Sequence, residues 1–247
     1  MATILYFHNA TDTTANLPST EQSSATADDD FEGSKTTNRK MDLFTGTAQV
    51  AMTNTSIANT ARNAYYVTRW VSPRLNETHI TVSSYQLNIA AAESSKSANF
   101  PWGCVTSYYM ACSLYVWRIS SGTKIGTIYD SSPTSFQEPL TIDTEQVMEK
   151  AFTGTTVAGL IAGDDVLVCE LWASMEQAMS ASYTQTVYFD GTTVNTIGTT
   201  NVTNHASFLS ISQNLSFSSG IPSPESWKGE FIPPYPRSWQ AVPSGAD

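Results

Sequence analysis

The residues of this chain that could do chemistry lie far apart in the sequence. The three histidines are His8, His79 and His205. A metal site on a β-sandwich draws two histidines and a carboxylate from one pair of strands at close spacing, and that spacing is missing here. We therefore interpret each histidine as a polar strand or loop residue, and we expect neither a metal nor another cofactor.

Two short acidic clusters also have structural interpretations. Asp28, Asp29 and Asp30 are adjacent in the sequence, whereas a calcium loop alternates its ligands so that several oxygens converge on the ion. Residues Gly163 to Asp165 are typical of a turn that begins a strand. Neither cluster predicts a cation site.

An enzyme mechanism finds little support in the sequence. Glycoside hydrolysis needs two carboxylates that face each other across a cleft, and the glutamates available here are those of any acidic β-protein. Glu170 lies inside an apolar strand and is interpreted as an outward-facing residue. The chain has no GxSxG, HExxH, P-loop or GxGxxG motif. We therefore expect a protein that is not an enzyme.

The composition and charge of the chain disfavour some classes of binding partner. The 247 residues carry a formal net charge of −10, and only 14% of them are charged. So acidic a chain repels phosphate backbones, which disfavours nucleic acid as a partner. No stretch approaches the roughly 18 apolar residues of a membrane span, and the first residues lack the basic and apolar regions of a secretory signal, so we expect no membrane partner.

The cysteines indicate where the chain folds. Their number is three, and an odd count argues against a disulfide framework. Cys112 and Cys169 lie in apolar strand-like runs and are expected to be small buried hydrophobes. Free thiols are typical of folding in a reducing cytosol.

The elements that must position these residues are predicted to be strands. Regular turn signals and the lack of a convincing long helix favour an all-β fold, namely a jelly-roll-like antiparallel β-sandwich. Ser107–Ile119 and Lys124–Asp130 form the clearest hairpin, with Gly122 in its turn. The apolar run Leu114–Trp117 indicates that its strand is buried on both faces, or that one face lies under a neighbour. Asp190-Gly191 predicts a second hairpin.

Extended arms are predicted at both ends of this body. Residues 1–40 form a short strand followed by a polar arm, residues 41–220 form the β-sandwich, and residues 221–247 form a second arm rich in proline and aromatic residues. Proline lacks an N–H group and fixes φ, so the second arm cannot be a helix or a central strand. The predicted anchors on a partner are Trp227, Phe231, Ile232, Tyr235 and Trp239.

Aromatic side chains leave sugar binding open as an alternative, because exposed rings stack on sugars. The candidates are Tyr65, Tyr66, Trp102, Tyr108, Tyr109 and Trp117. Adjacent aromatics in a strand point to opposite faces, so one of each pair is expected in the core. The other faces a ligand, a subunit interface or solvent.

Several longer strings carry a resemblance to a known group of proteins. They are MATILYFHNA with LPSTEQ, RWVSPRLN, NFPWG, LYVWRISSGTKIGTIYD, YFDGTTVNT and NHASFLS. The chain resembles the β-rich virion structural proteins of tailed bacteriophages, over most of residues 1–218. None of these strings is a catalytic motif, so the resemblance implies fold and context and supplies no catalytic residue.

The resemblance implies a non-enzymatic virion protein, made in the host cytoplasm and assembled into the particle. It would be a capsid decoration or cement protein, or an adaptor of the tail or neck. Its partners would be other virion proteins, either major capsid or tail subunits, and further copies of itself. The alternative is a receptor-binding or carbohydrate-binding tail protein, with a glycan of the host surface as its ligand.

Overall fold

The computed structural model describes residues 2–13, 17, 37–57, 64–93, 108–130, 146–175, 183–193 and 204–218. Every regular element in this part of the chain is a strand, so the predicted all-β class is confirmed. The strands are β1 (Thr3–Thr11), β2 (Asn38–Asp42), β3 (Val50–Ile57), β4 (Ala64–Val71), β5 (His79–Ile80), β6 (Ser84–Glu93), β7 (Tyr108–Arg118), β8 (Thr123–Asp130), β9 (Gln146–Thr153), β10 (Val157–Ala158), β11 (Asp165–Met175), β12 (Tyr183–Phe189) and β13 (Phe208–Ile211).

The strand order is that of a jelly roll. One group runs β3-β12-β6-β9 and the other runs β4-β11-β7-β8, with antiparallel pairing throughout each group. The chain crosses from one group to the other after β3, β4, β6, β8, β9 and β11, and only β7 and β8 follow each other within a group. Such alternate crossing is what two interlocked Greek keys require.

Three further strands join the two groups along one side. β13 pairs with the first half of β6, β1 pairs with β13 and β2, and β2 pairs with β4. The pairing of β2 with β4 is parallel, whereas every other ladder among the described strands is antiparallel. The result is one continuous sheet that curls over itself, while β5 and β10 form a separate small sheet.

The core lies between the two groups and is built from alternate residues of their strands. In β6 these are Tyr85, Leu87, Ile89 and Ala91. An aromatic cluster in the core joins three strands: Trp70 of β4 stacks on Phe7 of β1 at 4.4 Å between ring centroids and meets Phe189 of β12 edge-on at 5.8 Å. Since these rings come from both groups, the core is common to the whole sheet.

Local predictions from the sequence have mixed outcomes. The hairpin of β7 and β8 is confirmed, with Gly122 at φ +63° in its turn. The Asp190-Gly191 hairpin is wrong, because β3 and β6 already occupy both edges of β12 and the chain continues to a bridge between Thr193 and His205. Asp190 does take a positive φ of 68°, but its N–H donates to the carbonyl of Phe7.

The predicted arms fall mostly outside the described residues. Strands β1 and β2 of the N-terminal region belong to the large sheet, and Leu17 is described between them, but residues 18–36 are not described. The same holds for residues 219–247, so the arm predicted at 221–247 is untested. Among the residues that the structure describes, no helix is long and apolar enough to span a membrane.

Candidate functional site

The outer face of the β4-β11-β7 group is buried as deeply as the core. The side chains that point away from the core on these strands, called the outer sheet face below, are Tyr66, Arg69, Val71, Ser113, Tyr115, Trp117, Val166, Val168, Glu170 and Trp172. None of them is more than 4% exposed. The prediction that the strand containing Leu114–Trp117 is buried on both faces is therefore confirmed.

Leu17 of the N-terminal region is seated on the outer sheet face. It forms an apolar cluster with Val71, Tyr115, Trp117, Val166 and Val168, and it is 8% exposed. The chain arrives there because the Asp12 N–H donates to the carbonyl of Asn38 at 2.7 Å, which fixes the end of β1 beside β2 and β4. Five residues can span about 17 Å, so Leu17 can reach this face from Asp12.

An ion pair lies in the same layer. Arg69 and Glu170 are opposite each other on β4 and β11, both are 0% exposed, and Nη1 of Arg69 lies 3.7 Å from Oε1 of Glu170. The Tyr115 hydroxyl donates to the same carboxylate oxygen at 2.8 Å, and Nε of Arg69 donates to Oδ1 of Asn38. Buried charges need a countercharge and hydrogen bonds, and this pair has both. Glu170 therefore faces outward as predicted, but in a buried layer.

A second cluster centres on His8. Nδ1 lies 2.7 Å from Oδ1 of Asp190 and Nε2 lies 3.1 Å from Oδ1 of Asp42. Asp190 also accepts the N–H of Asn9 at 2.6 Å, and Asp42 accepts the N–H of Phe44 at 2.8 Å. Because both ring nitrogens face carboxylates, the imidazole orients β1, β2 and the end of β12 and has no nitrogen directed at a substrate.

His205 has the opposite environment. It is 0% exposed, and its Nε2 lies 2.7 Å from Oδ1 of Asn88. The Asn88 amide donates to Oε1 of Glu149 at 3.3 Å. Burial lowers the pKa of His205 to about 4, because an imidazolium loses its hydration there. The ring is therefore neutral at physiological pH.

The predicted turn at residues 163–165 is confirmed. The carboxylates of Asp164 and Asp165 accept hydrogen bonds from neighbouring residues of the fold. Asp165 is fully buried and accepts from Nε and Nη2 of Arg118, both at 2.9 Å. This hydrogen bonding raises the pKa of Arg118. Asp164 accepts the N–H of Ser120 at 3.0 Å. The two aspartates thus join the start of β11 to the end of the β7-β8 hairpin.

The buried thiols also match their prediction. Cys112 and Cys169 are free and each is 1% exposed. Burial raises the pKa of Cys169, so the thiol stays protonated. These side chains pack as small hydrophobes in the core.

The structure separates the other residues singled out in the sequence. His79 is exposed and contacts Thr78, and the described residues contain no group of three metal-ligating side chains. Tyr66 and Trp117 are buried, and the side chains of Tyr65, Tyr108 and Tyr109 are not among those that the structure describes. Outside the described residues lie Asp28, Asp29, Asp30, Trp102 and the predicted anchors Trp227, Phe231, Ile232, Tyr235 and Trp239.

Two clusters were missed from sequence. The His8 cluster joins residues up to 182 positions apart, and no local pattern links them. The Arg69–Glu170 pair has a weak signal, since each is a lone charge in an apolar strand, and such charges in buried strands need partners. One exposed aromatic was also missed: Phe44 is 76% exposed beside Leu43, which is 47% exposed.

Comparisons with known proteins give only distant similarity. No protein-family model and no curated protein matches the chain. Among solved structures, a CocE/NonD family hydrolase from Staphylococcus aureus has a TM-score of 0.41 at 9% identity, over 85% of this chain and 36% of that one. The structure of infectious bursal disease virus, Gx strain, has a TM-score of 0.29 at 9% identity, over 70% and 35%.

The VP2 subviral particle of infectious bursal disease virus is a third similar structure. Its TM-score is 0.20 at 13% identity, over 74% of this chain and 41% of that one. The chain thus spans less than half the length of each of these three structures. TM-scores below 0.5 at such identities assign neither a family nor a function to this chain.

Proposed function

We propose that this is a non-enzymatic structural protein of a bacteriophage virion, which binds neighbouring virion subunits through extended arms. It acts as a capsid decoration or cement protein or as a tail or neck adaptor. Its mechanism is burial of apolar area on neighbours, with several arms engaged at once, so that each contact raises the effective concentration of the next.

The observation that carries the proposal is Leu17 on the outer sheet face. The large side chains Tyr115 and Trp117 are buried there although they point away from the core. A sheet that buries apolar side chains on both faces is suited to receive chain segments on its outer side. The virion resemblance of the sequence supplies the context for this geometry.

The C-terminal arm supplies the contacts to neighbours in this proposal. The described chain ends at Ser218, whose N–H donates to the carbonyl of Arg74 at 2.8 Å. The 27 residues from 221 to 247 follow it in the sequence. Each large aromatic that such an arm buries on a neighbour contributes about 1.5–3 kcal/mol. The anchors are those predicted from the sequence: Trp227, Phe231, Ile232, Tyr235 and Trp239.

Assembly in infected cells tests the proposal. A chain that ends at Gly220 should fold, with the circular dichroism of the full chain, but should be absent from purified particles. A full-length variant with Trp227, Tyr235 and Trp239 changed to alanine should be depleted in the same way, while Leu43→Ala should be incorporated normally. Normal incorporation of the shortened chain, or absence of the full chain from particles, would contradict the proposal.

A second candidate is a receptor-binding or carbohydrate-binding tail protein. Phe44 favours it, because it is the one exposed aromatic among the described aromatic side chains and it follows Asp42 closely. An exposed aromatic ring offers an apolar face on which a sugar can stack. A glycan array with the full chain and with Phe44→Ala tests it. Binding that Phe44→Ala removes would favour this candidate, and no binding would exclude it.

A further inference from the structure

The sheet has three edge strands within the described part of the chain, and two of them are protected. β8 is capped by Thr155, whose N–H donates to the carbonyl of Ile128 and whose hydroxyl donates to the carbonyl of Thr127, both at 2.8 Å. β9 carries Glu149 and Lys150 in its centre. Hydrogen-bonded cover and central charges are the usual means of blocking an edge strand.

Among the residues that the structure describes, none caps the outer side of the third edge strand, β3. Its eight residues, VAMTNTSI, include no charged residue, no proline and no glycine. β12 pairs with one side of it, and no described strand pairs with the other. Ala51 and Thr53 are exposed on its outer face, while Met52 points to the core. An uncharged edge of this length is a template for a further strand.

We propose that β3 pairs antiparallel with β3 of a second copy, so that the large sheet continues across a two-fold dimer. A two-fold interface brings the same residues together from both sides. The net charge of −10 opposes self-association of the chain as a whole, whereas β3 contributes no charge to such a contact. Its threonines and asparagine suit cross-strand pairing, since opposed threonines hydrogen-bond. Thr53 and Thr186 already do so at 3.2 Å across β3 and β12.

The other segment that this chain could offer to the edge is less suitable. Residues 221–247 contain six prolines, and each proline removes one donor from a ladder. Pairing through β3 would occur in the purified protein, whether or not the chain belongs to a virion.

Sedimentation velocity of the full chain over a concentration series tests the pairing. The wild-type protein should be a dimer at about 10 µM, and Thr53→Lys should weaken the dimer at least about tenfold by placing like charges at the shared edge. Thr127→Lys is the matched control, because Thr127 is an exposed threonine on the protected edge strand β8. It should leave the dimer unchanged, and circular dichroism should show both variants folded.

Hydrogen exchange of the same proteins locates the interface. The amides of β3 should be protected in the wild-type dimer and should exchange faster in Thr53→Lys, while those of β8 stay unchanged. If Thr53→Lys does not fold, Ala51→Lys makes the same test at the neighbouring exposed position. A monomeric wild-type protein, or a dimer that survives both lysine variants, overturns the proposal and points to a different surface.

Discussion

The outer faces of the two halves of the sheet bury polar groups in different ways. On the β4-β11-β7 half, Arg69 and Glu170 are both charged side chains with no exposure, and each serves as the other's countercharge. On the β3-β12-β6-β9 half, His205 is equally buried but contacts the neutral Asn88. Glu149, at the end of that hydrogen-bonded chain, is only partly buried.

This difference in buried polar groups indicates how far each outer face is shielded from solvent. A buried charged side chain is stable only beside a countercharge. The Arg69–Glu170 ion pair therefore belongs to a layer that is shielded from solvent on its outer side, and Leu17 packs on that side. The other face keeps its buried histidine neutral and leaves its carboxylate near solvent, as a sheet surface facing water can. Removing one member of the ion pair should therefore destabilise the fold through the first face. Low pH should destabilise it through the second face, where His205 is buried.

The largest effect is expected from separating the ion pair. Arg69→Met removes the positive charge that lies beside the buried Glu170 carboxylate, and the free energy of unfolding should fall by about 3–5 kcal/mol. The double variant Arg69→Met/Glu170→Leu should recover most of this loss, because apolar side chains need no countercharge. Urea denaturation measures both. If Arg69→Met costs no more than Glu149→Gln on the opposite face, the two faces do not differ in the way described.

Acid should act through His205. Its pKa is about 4 in the folded protein against the ordinary histidine value of 6.5, so between these pH values the unfolded state binds more protons than the folded state. The free energy of unfolding should therefore be fully retained above pH 6.5 and should fall as the pH drops towards 4, by up to about 3 kcal/mol. Urea denaturation at several pH values measures the slope.

Two variants assign that slope to the right histidine. His205→Gln should flatten the pH dependence between 6.5 and 4, since glutamine does not titrate. His79→Gln should leave it unchanged, because His79 is exposed on β5. A slope that persists in His205→Gln would assign the acid sensitivity to another group.

Burial within a strand can be predicted from the sequence, whereas pairing between distant strands cannot, for physical reasons. The apolar run Leu114–Trp117 predicts burial on both faces because it lacks the alternation of a solvated strand. Gly122 marks its hairpin because glycine, which has no Cβ, adopts a positive φ at little steric cost. Which strands pair at long range is invisible in local patterns. Thus Glu170 is predicted to face outward, while its partner Arg69, about a hundred positions away, is not predictable.

The wrong prediction of a hairpin at Asp190 also shows that local sequence patterns do not determine long-range strand pairing. Asp-Gly favours a tight turn locally, but β12 lies between β3 and β6 and has no free edge for a returning strand. The Asp190 carboxylate contacts His8 and Asn9 instead. Tertiary pairing therefore overrides the local signal.

The smallest of these effects concerns the contact between Leu17 and the outer sheet face. Leu17 is 8% exposed and packs against Trp117 and Val168, so Leu17→Ala should lower the free energy of unfolding by about 2 kcal/mol. Leu43→Ala is the matched control at a leucine that is 47% exposed, and its effect should stay below about 0.5 kcal/mol. Hydrogen exchange adds a local measurement: amides of β7 and β11 should lose protection in Leu17→Ala while those of β6 and β12 keep theirs. Equal losses for the two leucines would mean that Leu17 contributes nothing to closing this face, and the proposed role of extended segments would lose its main support.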